Sequence, residues 1–242
     1  MNEAEKIIKA APERMQHMLS SVYRFNSAFI KSKWQEELLK KILFAMSIID
    51  RRFFSHEDSY IDTALPIGEG QTISQPSTVA RMLLLSELRE SDEVLDIGAG
   101  SGWNAALIAF LVYPGKVVSV DRIFNLIEKA EKNISKLRNY LKQKRPQDIQ
   151  KLEKINFLAE DIFSKGGAWK KKYDKIIITA GISDKSIEKK VKNLAESLLK
   201  QGGILICPCI TGPLVLYKKQ KKLIRQETSE EYVFVPLLEG TE

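Results

Sequence analysis

The chain has 242 residues, 44% hydrophobic and 29% charged, with 38 Lys and Arg against 31 Asp and Glu for a formal net charge of +7. That length suits one α/β domain with a two-sided core and a modest extension, and the composition is that of a globular chain, not a disordered or fibrous one. No run approaches the roughly 18 apolar residues of a membrane span, and Met1-Asn2-Glu3-Ala4-Glu5-Lys6 carries acids with no apolar h-region, so neither a membrane nor a secreted protein is expected, but a cytoplasmic one.

Residues 1–54 read as helical. Ile7, Ile8, Ala11, Met15, Met18, Leu19 and Val22 recur at three- and four-residue spacing, and Leu38, Leu39, Ile42, Leu43, Ala45, Met46 and Ile49 do so again. Pro12 should interrupt the first helix or sit in its first turn. No Gly- or Pro-rich linker follows, so 1–54 is expected to be a helical extension packed on a main domain of 55–242.

From Pro66 the pattern changes. Ser74 and Gln75 precede Pro76, which is placed as the first residue of a helix carrying Val79, Met82, Leu83, Leu85 and Leu88. Val94 to Ile97 predicts a buried strand, followed by glycines and a helix over 103–112. Lys116 to Val120 predicts a second strand ending in Asp121, then a long helix with Ile123, Leu126, Ile127, Ala130, Ile134 and Leu137 on one face. Strands are predicted at Ile155–Leu158, at Lys175–Thr179 (apolar enough to be central) and at Ile204–Cys207. Between the last two lies a helix over 185–200, stopped by Gly202-Gly203. Pro213–Lys219, Lys221–Gln226 and Tyr232–Pro236 read as antiparallel strands. This alternation predicts the α/β class, an open and mostly parallel sheet with an antiparallel edge.

Cys207 and Cys209 flank Pro208 and read as small buried side chains at a strand end. His17 and His56 lie in no motif, so histidine catalysis is poorly supported and no metal site is expected. Lys129 to Lys154 holds nine basic residues against three acids, and Lys165 to Lys175 five against one. Such clusters can meet nucleic acid. They read more simply as solvated faces, since no aromatics alternate with the lysines as stacking platforms.

The chemistry concentrates in two places. Gly98-Ala99-Gly100-Ser101-Gly102 joins a strand to a helix, where glycines permit a tight turn and close approach of a ligand. Asp121, at the end of the next strand, is placed to accept from ribose hydroxyls. NAD and S-adenosylmethionine both present that ribose. The spacing here is G-x-G-x-G, not G-x-G-x-x-G, which favours the methyl donor. Asp96 would help hold the donor's methionine part, and Asp161, at the carboxyl edge of the sheet, the adenine amine. The second place is Pro66-Ile67-Gly68-Glu69-Gly70-Gln71-Thr72-Ile73-Ser74-Gln75-Pro76, a hydroxyl pair just upstream of the glycine turn.

Together these segments resemble the protein-L-isoaspartate (D-aspartate) O-methyltransferase family. The resemblance runs from about Ile49 to Leu238. It includes Ile61-Asp62 through Pro66, Thr179-Ala180-Gly181 (Thr-Ala-Ala in the family), Glu160-Asp161-Ile162 (Gly-Asp-Gly in the family) and Tyr232-Val233-Phe234-Val235-Pro236-Leu237. It implies a class I S-adenosylmethionine-dependent methyltransferase fold, Rossmann-like and seven-stranded. It implies methyl esterification of L-isoaspartyl, and by extension D-aspartyl, residues in damaged proteins, with S-adenosylmethionine as cofactor. The family's essential serine falls on Ser74, with Thr72 beside it as the catalytic pair. Asp96, Gly98, Gly100, Gly102, Asp121 and Asp161 would bind the cofactor, and Ile73, Thr179, Ala180 and Val235 the substrate. Two other functions compete. One is a methyltransferase of the same fold acting on RNA, which lacks the aromatic Asn/Asp-Pro-Pro-aromatic signature after the fourth strand. The other is a donor-binding subunit without turnover.

Overall fold

The computed structural model describes residues 2–55 and 58–242, so His56 lies outside the described residues. Asn2 opens α1 (Glu3–Ala10) with a reciprocal capping box to Glu5. Pro12 makes the expected interruption, ending α1 and preceding α2 (Glu13–Ser27). Ser32 caps α3 (Lys33–Ile48) through the Gln35 N–H. The apolar faces read from the sequence are the buried ones. Met15, Met18, Leu19 and Val22 of α2 share one core with Leu39, Ile42 and Met46 of α3 and with the two helices that follow.

A short hairpin comes next, β1 (Leu65–Gly68) and β2 (Gln71–Ile73). Gly68, Glu69 and Gly70 make its turn with positive φ of 92°, 52° and 65°. Its strands are too short and glycine-broken to register as strands by periodicity. Pro76 opens α4 (Pro76–Leu85) as expected. Then β3 (Glu93–Ile97), α5 (Trp103–Val112), β4 (Lys116–Asp121), α6 (Phe124–Lys144), the single turn α7 (Ile149–Leu152), β5 (Ile155–Ala159), β6 (Tyr173–Ile178), α8 (Lys185–Leu198) and β7 (Leu199–Pro208) alternate. The chain finishes with β8 (Thr211–Gly212), β9 (Leu214–Lys219), β10 (Leu223–Glu227) and β11 (Tyr232–Val233).

Seven strands form one sheet in the order β10-β9-β7-β6-β3-β4-β5. β7, β6, β3, β4 and β5 are parallel, and β9 and β10 add the antiparallel edge. Chain order reverses on either side of β3 and β6, so the carboxyl ends of these two strands form the crevice where open sheets bind ligands. Apolar clusters lie on both faces of the sheet, one shared with α1–α6 and one with α8.

Two expectations need correction. Gly202-Gly203 does not stop α8, which ends at Leu198 with Leu199 already extended. The glycines lie within β7, where the register advances two residues on β6 (Tyr173 to Lys175) but five on β7 (Leu199 to Ile204), and Gly202 takes φ +79° in the resulting bulge. Tyr232–Pro236 does not join the large sheet. Only Tyr232 and Val233 are strand, paired with β8, and the residues after them cross the sheet's carboxyl edge.

Candidate active site

β3 delivers the chain into the glycine turn, and Gly98, Gly100 and Gly102 all take positive φ. Two of them also answer to crowding. A Cβ on Gly98 would stand 2.5 Å from Thr179 Oγ1, and one on Gly102 3.1 Å from the Ala130 Cβ of α6. The turn is held to β4 by Gly98 and Ala99 N–H bonds to Val120 O, at 2.8 and 3.1 Å. Thr179 Oγ1 closes it from the other side, donating to Gly98 O at 2.9 Å.

The three acids near this turn have different fates. Asp121 sits at the end of β4, 8% exposed, accepting from Gly100 N (2.9 Å) and Ile123 N (3.1 Å). Burial pushes its carboxyl above the usual range, against those two N–H bonds. Each oxygen keeps a lone pair for a further donor. Asp121 lines a small pocket with Gln71, Ile97, Gly98, Arg122, Asp161 and Pro236–Leu238.

Asp161 accepts from Phe163 N (2.8 Å) and, on its other oxygen, from Gly240 N (2.9 Å). Pro236–Leu238 therefore cover this pocket, with Gly240 tied to its edge. Glu242 N donates to Arg122 O and Glu242 O accepts from Phe124 N, both at 2.9 Å. With that cover down, the free volume is about 70 Å³.

Asp96 departs from its expected role. It is fully buried and lines neither this pocket nor the cleft described next, and its oxygens are taken by Asn104 Nδ2 and Ser119 Oγ, both at 2.7 Å. Those bonds tie β3 to β4 and to the first turn of α5. Burial pushes its carboxyl up to about 7.

The hairpin stands beside the glycine turn. Ile67 Cδ1 would lie 3.3 Å from a Cβ on Gly100, and Lys129 Nζ of α6 donates to Ile67 O at 2.5 Å. Strand alternation then sorts the segment. Thr72 and Ser74 face a cleft of about 590 Å³, whereas Ile73 is 5% exposed in the core and lines no cleft, against its expected substrate contact. Thr63, Ala64, Thr179, Thr211 and Glu231–Val235 complete the walls. Ser74 does not cap α4. The N-cap position is Gln75, and the first-turn Ser77 N–H goes to Asp62 Oδ1 at 2.8 Å.

Of the expected substrate floor, Thr179 and Val235 line the cleft, while Ala180 packs instead against the cluster beneath α8. Gly181 N donates to Val235 O (2.7 Å) and Leu237 N to Gly181 O (2.8 Å). A Cβ at residue 181 would meet Ile210 N at 2.6 Å, which explains glycine where alanine was the family's pattern.

Sequence reasoning missed Arg51. Fully buried, it donates through Nη1 to Ser59 O (2.9 Å) and Ile61 O (3.3 Å), and through Nη2 to Thr63 O (2.9 Å) and Ser74 O (3.2 Å). Its guanidinium lies 5.3 Å from the Trp103 ring. Burial pulls it down to about 10, with the Asp62 charge opposing, so it stays cationic at neutral pH. Only its place in Arg51-Arg52-Phe53-Phe54, just past an amphipathic helix, could have drawn attention to it.

Set beside known proteins, residues 24–242 match the model of the protein-L-isoaspartate(D-aspartate) O-methyltransferase family. A protein-L-isoaspartate O-methyltransferase of Ignicoccus hospitalis is 38% identical over 218 residues, covering 83% of this chain and 90% of that protein. One of Methanopyrus kandleri is 33% identical over 250 residues, covering 98% and 96%. In fold, the chain is similar to a Plasmodium falciparum structure assigned to protein-L-isoaspartate O-methyltransferase and solved with S-adenosyl-L-homocysteine. The TM-score is 0.70 at 22% identity, covering 98% of this chain and 99% of that one.

Proposed function

The chain belongs to the protein-L-isoaspartate(D-aspartate) O-methyltransferase family, and we infer from its geometry how it transfers a methyl group from S-adenosylmethionine to the carboxylate of L-isoaspartyl residues in damaged proteins. The observation that carries the division of labour is the Gly98–Thr179 contact. It makes the glycine turn and the cleft neighbours across one pair of residues.

S-adenosylmethionine belongs on the pocket side, entering as the Pro236–Leu238 cover lifts. Gly98 and Gly100 keep side chains off the turn, where a Cβ would run into Thr179 Oγ1 or Ile67 Cδ1, and the Asp121 carboxylate sits at the sheet edge with lone pairs unused. When bound, it supplies an electrophilic sulfonium methyl. Asp121 holds ribose hydroxyls and Gly98, Gly100 and Gly102 shape the backbone under them. Asp161 serves the adenine amine once Gly240 N releases it. Asp96 acts from beneath, by fixing the turn.

The acceptor carboxylate is ionised near neutral pH and needs no general base. What the protein must provide is alignment and exclusion of water. Ser74 and Thr72, on the cleft side of the hairpin, donate hydroxyl hydrogen bonds to the acceptor carboxylate and turn its other oxygen toward the pocket. Thr179 and Val235 border the peptide backbone. Residues 1–54 serve as a helical extension packed on the catalytic domain, 55–242. An RNA acceptor is disfavoured in this reading: within 129–154, Lys132 pairs with Glu128, Arg138 with Glu153, and Arg145 and Lys151 with Asp148, so four of the nine cations already have carboxylate partners.

The test is incorporation from tritiated donor into an isoaspartyl peptide, its normal aspartyl twin and bulk RNA, side by side. Label in the first alone is expected. Label in RNA with none in the peptide would overturn the assignment, and donor binding without any label would make the chain a non-catalytic subunit.

A further inference from the structure

Arg14 lies on α2, ahead of residue 24, where the match to the family begins. Its guanidinium nonetheless reaches the loop that walls the cleft. Nε donates to Tyr60 Oη at 3.0 Å and Nη2 to Asp50 Oδ2 at 3.3 Å. Tyr60 Oη in turn donates to Asp50 Oδ1 at 2.7 Å, closing a three-residue ring. Asp50 is 1% exposed, so these bonds satisfy a carboxylate that burial would otherwise penalise. Burial, with the Asp50 bond adding to it, pushes the Tyr60 phenol up to about 12, so it remains a donor across the working range. The Tyr60 bond raises Arg14 further.

Asp50 also accepts from the Arg52 N–H at 3.1 Å, which fixes the short turn carrying Arg51, and its Oδ2 pairs with Arg52 Nε at 3.1 Å, so the carboxylate keeps one cation when Arg14 is removed. Arg51 is the only described group that bonds both Thr63 O and Ser74 O, and it does so through one nitrogen. Thr63 and Ser74 both line the cleft, from the two arms of the β1–β2 hairpin just beyond the Leu65–Ile73 pair. With Nη1 held by Ser59 O and Ile61 O, the rigid guanidinium fixes Nη2, and so the two carbonyls it bonds, more firmly than a flexible ammonium can. The same guanidinium faces Trp103, whose Nε1 donates to Ile49 O at 3.1 Å and which opens the helix after the glycine turn.

We propose that Arg14, Asp50, Tyr60 and Arg51 form a positioning relay through which the N-terminal helices hold the base of the β1–β2 hairpin and the place of Ser74 in the acceptor cleft. None of the four touches the reacting atoms. The relay rests on the reading of Ser74 and its cleft as the acceptor site. It gives the extension a part in peptide binding that simple packing would not.

The experiment uses the full chain. Arg14→Gln, Tyr60→Phe, the double variant and Arg51→Lys are compared with wild type for thermal midpoint, donor Kd by calorimetry, and kcat and KM on a short neutral isoaspartyl peptide. Arg24→Gln, an exposed arginine on the same helix, serves as control. Arg14→Gln should raise KM for the peptide about three- to tenfold, the size of one lost ordinary hydrogen bond, with donor Kd unchanged and the protein still folded at the assay temperature. Tyr60→Phe should do the same, and the double variant should be no worse than either, because both break one ring. Arg51→Lys should lower kcat/KM by more than tenfold at unchanged donor Kd. Peptide KM at the wild-type value in Arg14→Gln overturns the relay. So does a double variant whose losses multiply, or losses that merely track the folded fraction. If Ser74→Ala keeps full turnover, the acceptor-site reading itself has failed. If Ser74→Ala is crippled while Arg14→Gln is normal, only the relay has failed.

Discussion

The pocket at Asp121 and the cleft at Ser74 share the Gly98–Thr179 contact but are assembled by opposite means. In the pocket the backbone does the holding: one glycine turn, the ends of β4 and β5, and N–H groups that fix the Asp121 carboxylate, with Gln71 and Pro236–Leu238 closing it. Its glycines and Asp121 lie within strand–turn–helix units, so the parallel sheet positions them once it forms. The cleft gathers Thr63, Ser74, Thr179, Thr211 and Val235 from five separate segments. Its walls are held by side chains such as Arg51 and Asp62. A site of the first kind tolerates surface change and depends on a few backbone angles. A site of the second kind depends on residues remote from the chemistry.

The sharpest way to break this comparison is Ser74→Ala. Turnover should fall by about 10²-fold or more while donor affinity stays within a few-fold, because the lost hydroxyl serves only the acceptor side. Parallel loss of donor affinity would merge the two sites into one. Asp121→Ala probes the pocket. Charge-assisted bonds of roughly 1.5–3 kcal/mol predict donor binding weakened about ten- to a hundredfold by calorimetry. An unchanged Kd would remove the ribose assignment.

Asp96→Asn separates a ligand contact from a support beneath the turn. The native carboxyl holds its proton up to about 7, whereas an unfolded aspartate releases it near 3.9. Between those values the native state binds more protons, so this group's contribution to stability is full below about pH 4 and is lost as pH rises through 7. The slope is at most about 1.4 kcal/mol per pH unit. Asparagine, with the Ser119 hydroxyl rotated to suit, should abolish that slope in urea titrations from pH 4 to 7 and leave donor affinity nearly intact. A large loss of donor affinity would instead restore Asp96 to the ligand.

The smallest effect is expected from Lys142→Glu with Lys144→Glu. Both side chains are exposed on α6, and peptide activity and thermal midpoint should barely move. Arg145 is left out because it pairs with the buried Asp148 at 2.6 Å, and a glutamate there would set two acids together. Loss of peptide methylation in the double lysine variant would bring this face into the acceptor site.

How much of this was legible in the sequence follows the same division. The glycine turn, Asp121 and the strand–helix alternation are contiguous patterns, and the parallel sheet with its antiparallel edge is where they placed it. Gly202-Gly203 misled because glycine punctuates bulges as well as helix ends, and only the β6–β7 register distinguishes them. The direction of Asp96 was not legible because a strand acid beside a turn can point up to a ligand or down to Asn104 and Ser119, and periodicity does not record which. Arg51 and the Asp50–Tyr60–Arg14 ring were invisible for a different reason. Their partners are mostly carbonyls or lie up to 46 residues away.

One stretch of chain serves both sites. Glu231–Val235 border the cleft and Pro236–Leu238 cover the pocket, with Gly181 gripping the stretch at Val235 O and Leu237 N between them. A cover that must lift for the pocket to exchange its ligand, and that a peptide against its first half would hold down, predicts an ordered cycle. Product-inhibition kinetics should show the donor binding before the peptide and the methyl ester leaving before the spent nucleoside.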